Sequence, residues 1–596
     1  MEKLKFKNIL GKNPLFFDGA TDTMLQTAGL KKGEMPELWN FEKPEAIKKI
    51  HKAYLEAGAD IIESNTFGSH PAKIGKTPHS TYDIVYKGVT LAVESINEFI
   101  SQTKMKRRFI PFVAASLGPS GHLLKPLGPI SFDEAYEGFT LQVKAALDGG
   151  ADLIFLETMT DTYELKAAVL AAKENSSLPI IVSCMIDEKG CLHTGGNVAS
   201  IVSLVEGLGV DGIGLNCDFG LDKLIPFALD LISQSSLPIL LNSNACLSEE
   251  KKGETTRSLS PSSFSKEVCS IAKYGFHLIR GCCGTGPDHI KKLISTYKKA
   301  SIPFISPQKK TKTVISSCSK TVEIGKLPII VGEKINPGGN KTLKTAVKSK
   351  DMNYVSFLAK KQAELCPVLD VNMGLSGLNE AELLKESVIK IQEAVDIPLM
   401  IDTVNPTAME QALRYYNGKA CINSVSGKKS SMDKIFPLAK KYGGLVIALT
   451  LDDSGIPETA VQRVRIAEKI VEEGSKYGLE KKDFIVDPLT LTVISDPASP
   501  NVTLEALRIL TKKGFKTSIG VSNISFGLPS RDSITATFFS LALKEGLSCG
   551  IANPFSHSLI SSYYSTLALI NKDKNCTNYI DFFKANPSDN APICNS

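Results

Sequence analysis

Short apolar runs alternate with longer amphipathic stretches along most of the chain, with a period of about 30 residues. Residues 44–57 are a typical amphipathic stretch, in which Ile47, Ile50, Tyr54 and Leu55 recur at helical spacing and lysines occupy other positions. A short apolar run followed by an amphipathic helix is typical of a βα unit, and repeated units of this kind build a parallel sheet. The pattern therefore predicts an α/β protein.

The apolar runs form two series of eight. The strands of the first series are predicted to end near Asp18, Glu63, Ser116, Glu157, Cys184, Asn216, Asn242 and Arg280. Those of the second are predicted to end near Glu333, Asn372, Asp402, Asn423, Thr450, Asp487, Asn523 and Asn553. Eight βα units are the number in a (β/α)8 barrel, with a doubly wound sheet as the less natural alternative. We expect two (β/α)8 TIM barrels in tandem.

A change of composition separates the two series. Residues 301–321 are rich in proline, serine and lysine and lack the βα pattern, which is typical of a linker. The predicted organisation is a first barrel over 1–305, a linker over 306–322 and a second barrel over 323–596. Because polar residues directly follow the strands, and active sites of this fold lie at the carboxyl ends of the strands, each barrel is expected to carry a site there.

Composition narrows the class of protein. The chain has 596 residues, 43% of them hydrophobic and 22% charged, and its net charge of +6 is not concentrated in a basic block, so it gives no support for binding to nucleic acid or an anionic membrane. The apolar patch at 14–17 is too short for a signal peptide, and no apolar run approaches the roughly 18 residues of a membrane span. A cytoplasmic location follows. Thirteen cysteines without a secretion signal favour reduced thiols or metal ligands over disulfides.

Three cysteines follow strands of the first series. Cys217 comes after the sixth strand, and the adjacent Cys282 and Cys283 come after the eighth, between glycines. Three thiolates at one barrel mouth fit a tetrahedral zinc ion with the fourth position open to a substrate thiol, which zinc would hold deprotonated. An isolated cysteine is more often a small buried residue, and that interpretation is kept for the other cysteines. These include Cys184, Cys191, Cys269, Cys318, Cys421 and Cys576.

The first half of the chain resembles the homocysteine S-methyltransferase family. The matching stretches are 17–20 (FDGA), 57–68 (AGADIIESNTFG), 117–119 (LGP), 157–159 (ETM), 214–217 (GLNC) and 281–285 (GCCGT). The resemblance implies that Cys217, Cys282 and Cys283 bind Zn²⁺. It also implies that the amino and carboxylate groups of homocysteine meet Asp18, the turn at Gly19 and Ala20, and Glu157. Asn244 is expected to occupy the open zinc position until substrate arrives.

The chain departs from this family at three places. It has Thr21-Asp22 where the family usually has Met-Gly, Ser243 in place of proline, and Cys246 in place of glycine. Asp22 matters most, because a second carboxylate that faced the pocket would repel the carboxylate of the substrate.

The second half has carboxylates and amides at its strand ends instead of a cysteine cluster. Asp402, Asn423, Asp487 and Asn523 each end a different predicted strand and should converge on the barrel mouth. Carboxylates and amides are the partners that the amino-pyrimidinone edge of a pterin requires, although any one of the four, taken alone, is also typical of an ordinary strand end. The sequence thus predicts a site for a flat heterocycle.

These stretches resemble the pterin-binding methyltransferase family. They are 331–337 (VGEKINP), 369–372 (LDVN), 401–403 (IDT), 422–426 (INSVS), 486–489 (VDPL) and 520–531 (GVSNISFGLPSR). The resemblance assigns Asp402, Asn423 and Asp487 to the pterin of 5-methyltetrahydrofolate, and Asn523 to the region of N5. Glu333 and Asn336 complete the expected binding set. The chain departs from this family at Gly338, where threonine is usual, and at Thr535, where asparagine is common.

The order of the two halves resembles the amino-terminal modules of the cobalamin-dependent methionine synthase family. It implies methyl transfer from 5-methyltetrahydrofolate by way of cobalamin to zinc-activated homocysteine. Because no Asp-x-His-x-x-Gly motif is present, cobalamin is expected on a separate corrinoid protein or on a missing domain. Two alternatives remain: a cobalamin-independent thiol methyltransferase with a vestigial second barrel, and a folate-binding scaffold without turnover.

Overall fold

The computed structural model describes residues 4–103, 107–216, 219–247 and 257–586. The chain divides into two compact units, Met1–Lys310 and Thr311–Ser596. Each unit is an α/β barrel, so the predicted fold class is confirmed.

The first unit is built around a parallel sheet of eight strands, counted over the described residues. Its strands are β1 Leu15–Phe16, β2 Ile61–Glu63, β3 Phe112–Leu117, β4 Leu153–Met159, β5 Ile180–Met185, β6 Gly212–Asn216, β7 Ile239–Ser243 and β10 Leu278–Gly281. The sheet order is β1-β10-β7-β6-β5-β4-β3-β2. A parallel bridge between Phe17 and Ile61 links its two edges and so completes the barrel. A short antiparallel pair, β8 Cys246–Leu247 and β9 Arg257–Ser258, lies between the last two strands in sequence.

Helices follow the strands of the first unit. They are α1 Thr21–Thr27, α2 Trp39–Glu42, α3 Pro44–Ala57, α4 Pro71–Ile74, α5 Thr81–Gln102, α6 Phe132–Asp148, α7 Thr162–Asn175, α8 Val198–Leu208, α9 Leu221–Gln234, α10 Pro261–Ala272 and α11 Pro287–Ala300. Helix α3 has the predicted bounds, and its four apolar positions are buried. It begins with Pro44, whose fixed φ suits the first helical turn, and ends at Gly58 with φ of 108°, a conformation that favours glycine.

The second unit is a closed parallel barrel. Its strands are β13 Ile329–Ile335, β14 Val368–Val371, β15 Leu399–Asp402, β16 Cys421–Ser426, β17 Leu445–Leu449, β18 Phe484–Asp487, β19 Lys516–Gly520 and β20 Cys549–Ala552. Its helices are α12 Lys341–Lys348, α13 Asn353–Ala363, α14 Glu380–Ala394, α15 Pro406–Tyr415, α16 Lys429–Tyr442, α17 Ala460–Ser475, α18 Ser499–Lys512, α19 Arg531–Lys544, α20 His557–Leu569 and α21 Thr577–Ala585. Short 3₁₀ helices lie in the first unit at Phe6–Asn8 and Pro36–Leu38, and in the second unit at Lys481–Asp483, Val521–Ser525 and Lys574–Cys576.

A hairpin closes the floor of the second barrel. Its first strand, β11 Val314–Ser316, and the start of its second, β12 Thr321–Glu323, lie in the stretch 306–322 that the composition assigned to a linker. Ile315 and Ile324 are buried in the apolar cluster of the barrel interior. The residues from Val314 onward therefore pack with the second barrel.

The apolar interiors of the strands leave polar residues at their carboxyl ends, as the sequence predicts. Two strand ends differ from the prediction by three residues: β16 continues to Ser426, and β19 already ends at Gly520, after which Val521–Ser525 form a 3₁₀ helix that carries Asn523. A Cβ at position 520 would lie 2.8 Å from Asn523 Nδ2, so a larger residue there would displace the Asn523 amide. In the described ranges, no helix is both long and apolar enough to span a membrane.

Candidate functional site

A cavity of about 210 Å³ opens at the carboxyl ends of the strands of the first barrel. Five of the predicted site residues line it: Ala20, Glu157, Asn244, Cys282 and Cys283. They come from segments far apart in the sequence, and the barrel brings them to one mouth. The cavity is therefore the candidate substrate site of the first barrel.

Asp18 and Gly19 form the turn beside this cavity. Asp18 is fully buried, and its Oδ2 accepts a hydrogen bond of 2.9 Å from the backbone N–H of Glu63. Its Oδ1 has no partner among the described residues, and burial raises the pKa of Asp18 to about 7. A Cβ on Gly19 would lie 2.7 Å from Thr285 Oγ1 and 3.0 Å from the Tyr54 hydroxyl, so the turn has room only for glycine.

The two adjacent cysteines present their thiols together. The Cys282 thiol donates to Cys283 Sγ at 4.0 Å, and this hydrogen bond, together with burial, raises the pKa of Cys282 well above its ordinary value. Two sulfurs on one tetrahedral zinc ion lie roughly 3.8 Å apart, because Zn–S bonds are about 2.3 Å long. The spacing of the pair and the donor type thus fit zinc.

Cys217, the third predicted ligand, lies outside the described residues. The residue before it, Asn216, ends β6 and lines the cavity. Over the part of the chain that is described, no group of three histidine, cysteine or acidic side chains is arranged to hold a metal ion. The three-cysteine set therefore stays a prediction.

The loops after β7 and β10 are held together by backbone hydrogen bonds. Cys282 N–H donates to Ser243 O at 2.7 Å, and Ala245 N–H donates to Cys283 O at 2.9 Å. Asn244 lies between these two contacts, half-buried, on the wall of the cavity. This arrangement fixes the backbone of Asn244 beside the cysteine pair.

Arg280 is a buried cation at the floor of the cavity. Its Nε and Nη2 donate to the two carboxylate oxygens of Glu63, the latter at 2.6 Å, and Nη2 also lies 2.9 Å from Glu157 Oε2. Nη1 donates to Asn242 Oδ1 at 3.3 Å, and the Ser116 hydroxyl donates to Glu157 Oε1. The sequence analysis did not select Arg280 or Glu63 as site residues. The available signal was a charged residue directly after an apolar strand core.

In the second barrel, carboxylates and amides at the ends of three neighbouring strands form two hydrogen-bonded pairs. Asn423 Nδ2 donates to Asp370 Oδ1 at 3.1 Å, and Asn372 Nδ2 donates to Asp402 Oδ2 at 3.0 Å. Burial raises the pKa of both carboxyls, and the negative charge of Asp402 adds to the shift at Asp370. The structure brings the predicted Asp402 and Asn423 together and adds Asp370 and Asn372, which sequence reasoning did not select.

A second polar group lies around the 3₁₀ helix after β19. The Ser522 hydroxyl donates to Glu333 Oε1 at 2.9 Å, and Arg531 Nη2 donates to Ser522 O at 2.7 Å. Asn523 is exposed here, and its side-chain amide has no hydrogen-bond partner within the described ranges. Asn336, on the loop after β13, is half-buried, and its Oδ1 accepts from Gly338 N–H at 2.9 Å.

Asp487 ends β18 and is separated from Asp402 by β16 and β17 in the barrel order. Its Oδ1 accepts a hydrogen bond of 2.7 Å from Leu489 N–H. Burial raises its pKa to about 7. Asp487 is therefore a carboxyl group whose protonation changes near neutral pH.

Comparison with known proteins agrees with this division into two sites. The family model for homocysteine S-methyltransferase matches residues 15–297, and the model for pterin binding enzymes matches residues 333–553. The first barrel is a homocysteine S-methyltransferase domain, and the second is a pterin-binding domain. The two matches cover both candidate sites, from Asp18 to Cys283 and from Glu333 to Asn523.

Two methionine synthases are similar to this chain over most of its length. Those of Mycobacterium leprae and Mycobacterium tuberculosis are each 28% identical to the chain, over 91% and 92% of its length. The alignments cover 47% and 48% of those proteins, so the chain spans about half the length of these curated relatives. Among solved structures, the oxidized homocysteine methyltransferase MmuM from Escherichia coli is 23% identical, with a TM-score of 0.42, over 49% of this chain and 98% of that one.

Proposed function

We propose that the chain transfers a methyl group from 5-methyltetrahydrofolate to homocysteine by way of a cobalamin, giving methionine and tetrahydrofolate. The observation that carries this proposal is the pair of thiols of Cys282 and Cys283, 4.0 Å apart on the cavity of a homocysteine S-methyltransferase domain. A pterin-binding domain in the same chain supports a folate as the methyl donor. The first barrel would bind the acceptor and the second barrel the donor.

In the first barrel, Cys217, Cys282 and Cys283 would hold a zinc ion. When bound, zinc supplies a fixed positive charge that keeps the thiol of homocysteine deprotonated and nucleophilic. Asn244, on the cavity wall beside the cysteine pair, would fill the open position before substrate arrives. The amino and carboxylate groups of homocysteine would lie at the end of the cavity formed by Asp18, Gly19, Ala20 and Glu157.

In the second barrel, Asp402, Asn423 and Asp487 would pair with the amino-pyrimidinone edge of the pterin, with Glu333 and Asn336 as further contacts. Asn523 would hydrogen-bond N5, which gives up the methyl group. A methyl amine is a poor leaving group until its nitrogen gains positive charge, so a hydrogen bond that strengthens on protonation of N5 lowers the barrier. The unpartnered, exposed amide of Asn523 supports this role, within the residues described.

A cobalamin would carry the methyl group between the two barrels, bound to a separate corrinoid protein or to a domain outside this chain. Cobalamin supplies a metal centre that accepts a methyl group and donates it again. The mouth of the second barrel supports an approach by another protein surface, because large apolar residues are exposed on its βα loops. These are Val404, Ile494, Phe526 and Phe555.

The proposal is tested by measuring the two half-reactions separately with the full chain. One assay follows labelled methyl from 5-methyltetrahydrofolate to added cob(I)alamin, and the other follows methyl from methylcobalamin to homocysteine. We expect Cys282→Ser to abolish the second transfer and spare the first, and Asp402→Ala to do the reverse. Cys576→Ser is the matched control, since Cys576 is exposed and remote in sequence from both sites. It should change neither reaction.

Three outcomes would contradict the proposal. Equal loss of both half-reactions in each folded variant would refute the division of labour between the barrels. Methylation of homocysteine by a betaine or by methylmethionine, without cobalamin or folate, would support the cobalamin-independent alternative. Folate binding without either half-reaction would support a scaffold.

A further inference from the structure

The charges around the cavity of the first barrel are unequal. Asp22, Glu63 and Glu157 contribute three carboxylates to its lining, and Arg280 contributes one guanidinium. A substrate that enters therefore meets an excess of negative charge. Which carboxylate can bind a cation on the substrate depends on how far each one is already paired with a protein group.

Arg280 is already committed to protein partners. A guanidinium has five N–H donors. Nε and Nη2 donate to the Glu63 carboxylate, and Nη2 also lies beside Glu157 Oε2. Nη1 donates to Asn242 Oδ1 at 3.3 Å and to Cys282 Sγ at 3.8 Å. Four hydrogen bonds and the ion pair with Glu157 thus engage all three nitrogens of the Arg280 guanidinium with protein groups.

The same contacts neutralise two of the three carboxylates. Both oxygens of Glu63 accept from Arg280. One oxygen of Glu157 lies 2.9 Å from Arg280, and the other accepts from the Ser116 hydroxyl. Glu157 is one of the residues that the family resemblance implies for the amino and carboxylate groups of homocysteine. It thus has a permanent cation beside it that weakens its attraction for a second one.

Asp22 differs from these two. It lies in the first turn of α1, on the cavity wall, and makes no hydrogen bond or ion pair with any described residue. The positive charge of Lys73 acts on Asp22, but the Lys73 ammonium lies 4.6 Å from the centre of the Phe67 ring and forms no ion pair with Asp22 in the described part of the chain. Desolvation, followed by the negative charge of Glu157, raises the pKa of Asp22, and the more distant positive charges of Lys73 and Arg280 offset this only in part.

We propose that Asp22 binds the ammonium group of the thiol substrate and selects an α-amino thiol. This inference rests on the proposed function and deepens it. The Asp22 side chain is exposed to the cavity and has no hydrogen bond or ion pair with a described residue, so an ammonium group placed against it forms a charge-assisted hydrogen bond. Such a bond to a charged group is worth about a ten- to hundredfold in affinity. The aspartate, where the family usually has glycine, thus compensates for the engagement of Glu157 by Arg280.

The test compares two thiols by isothermal titration calorimetry on the full chain supplied with zinc. Homocysteine carries the ammonium, and 4-sulfanylbutanoate has the same chain, thiol and carboxylate without it. We expect Asp22→Asn to weaken homocysteine about ten- to hundredfold and to leave 4-sulfanylbutanoate unchanged or slightly tighter. Glu137→Gln, which removes an exposed carboxylate on α6, should change neither affinity.

Several results would overturn the assignment. They are an equal effect of Asp22→Asn on both thiols, a wild-type protein that binds both thiols equally, and a protein that binds neither. A selective loss of homocysteine in Glu157→Gln but not in Asp22→Asn would give the role to Glu157. Binding is measured without turnover, so a protein that shows the selective loss but transfers no methyl would retain the Asp22 site and refute the proposed function instead.

Discussion

The affinity of the second barrel for 5-methyltetrahydrofolate should depend on pH through Asp487. This carboxyl group is 8% exposed, and burial raises its pKa to about 7. The N–H donors of a pterin pair with the ionised form, so bound ligand favours loss of the proton. Below pH 7 the free protein must release that proton on binding, which lowers the affinity.

The size of the effect follows from the pKa. If Asp487 is ionised in the complex, the apparent Kd rises by the factor 1 + 10^(pKa − pH). With a pKa of about 7, this factor is about 11 at pH 6 and about 1.1 at pH 8. Affinity should therefore fall about tenfold from pH 8 to pH 6, which is about 1.4 kcal/mol, and nearly one proton should be released per ligand at pH 6.

The assay is calorimetric titration with 5-methyltetrahydrofolate at pH 6, 7 and 8, in two buffers with different ionisation enthalpies. The difference between buffers counts the released protons. Asp487→Asn should bind more weakly at pH 8 and lose this pH dependence. Asp453→Asn, an exposed aspartate in the same barrel, should keep the wild-type profile. Equal wild-type affinity at pH 6 and pH 8, or an unchanged tenfold dependence in Asp487→Asn, would refute the reasoning.

Three further predictions concern other parts of the structure. Gly520→Ala puts a Cβ 2.8 Å from Asn523 Nδ2 and should slow methyl transfer to cob(I)alamin about tenfold or more, while Gly339→Ala, which meets no atom within 4 Å, should have no such effect. Gly58→Ala imposes a side chain at φ of 108° and 3.2 Å from an Ile294 methyl group, so thermal unfolding of the first barrel should reveal a loss of about 1–2 kcal/mol. Removal of metal by a chelator should stop methylation of homocysteine and spare methyl transfer from the folate to cob(I)alamin. Added zinc should restore the methylation of homocysteine. Loss of both half-reactions on metal removal would contradict the separate roles of the two barrels.

Local patterns were sufficient to predict most of the architecture. Every predicted strand is present in the structure, because a parallel barrel buries both faces of each strand and leaves a continuous apolar run in the sequence. Helix α3 was predicted over its full length from its apolar face, and Pro44 and Gly58 at its two ends are residues that suit the start and the end of a helix. The backbone conformation at Asn523 was harder to predict from the sequence. The strand before it ends at Gly520, and Asn523 lies in the 3₁₀ helix Val521–Ser525 that follows.

The contacts that complete each site could not be predicted from local sequence. Arg280 and Glu63 are 217 residues apart, and only closure of the barrel brings them together. Asp370 was passed over because an acidic residue inside an apolar run has no periodic signature of its role. Its link to Asn423 spans 53 residues. The residue types at the strand ends were sufficient to predict the chemistry of each site. Which charged groups pair with each other could be learned only from the three-dimensional structure.

The central claim is that the cysteines of the first barrel hold a zinc ion with one position open to the substrate thiol. X-ray absorption at the zinc edge, on the full chain with and without homocysteine, tests it most directly. We expect about one zinc per chain with three sulfur ligands, rising to four when homocysteine binds. Zinc that is absent from the carefully purified chain, or a sulfur count that homocysteine does not change, would contradict it.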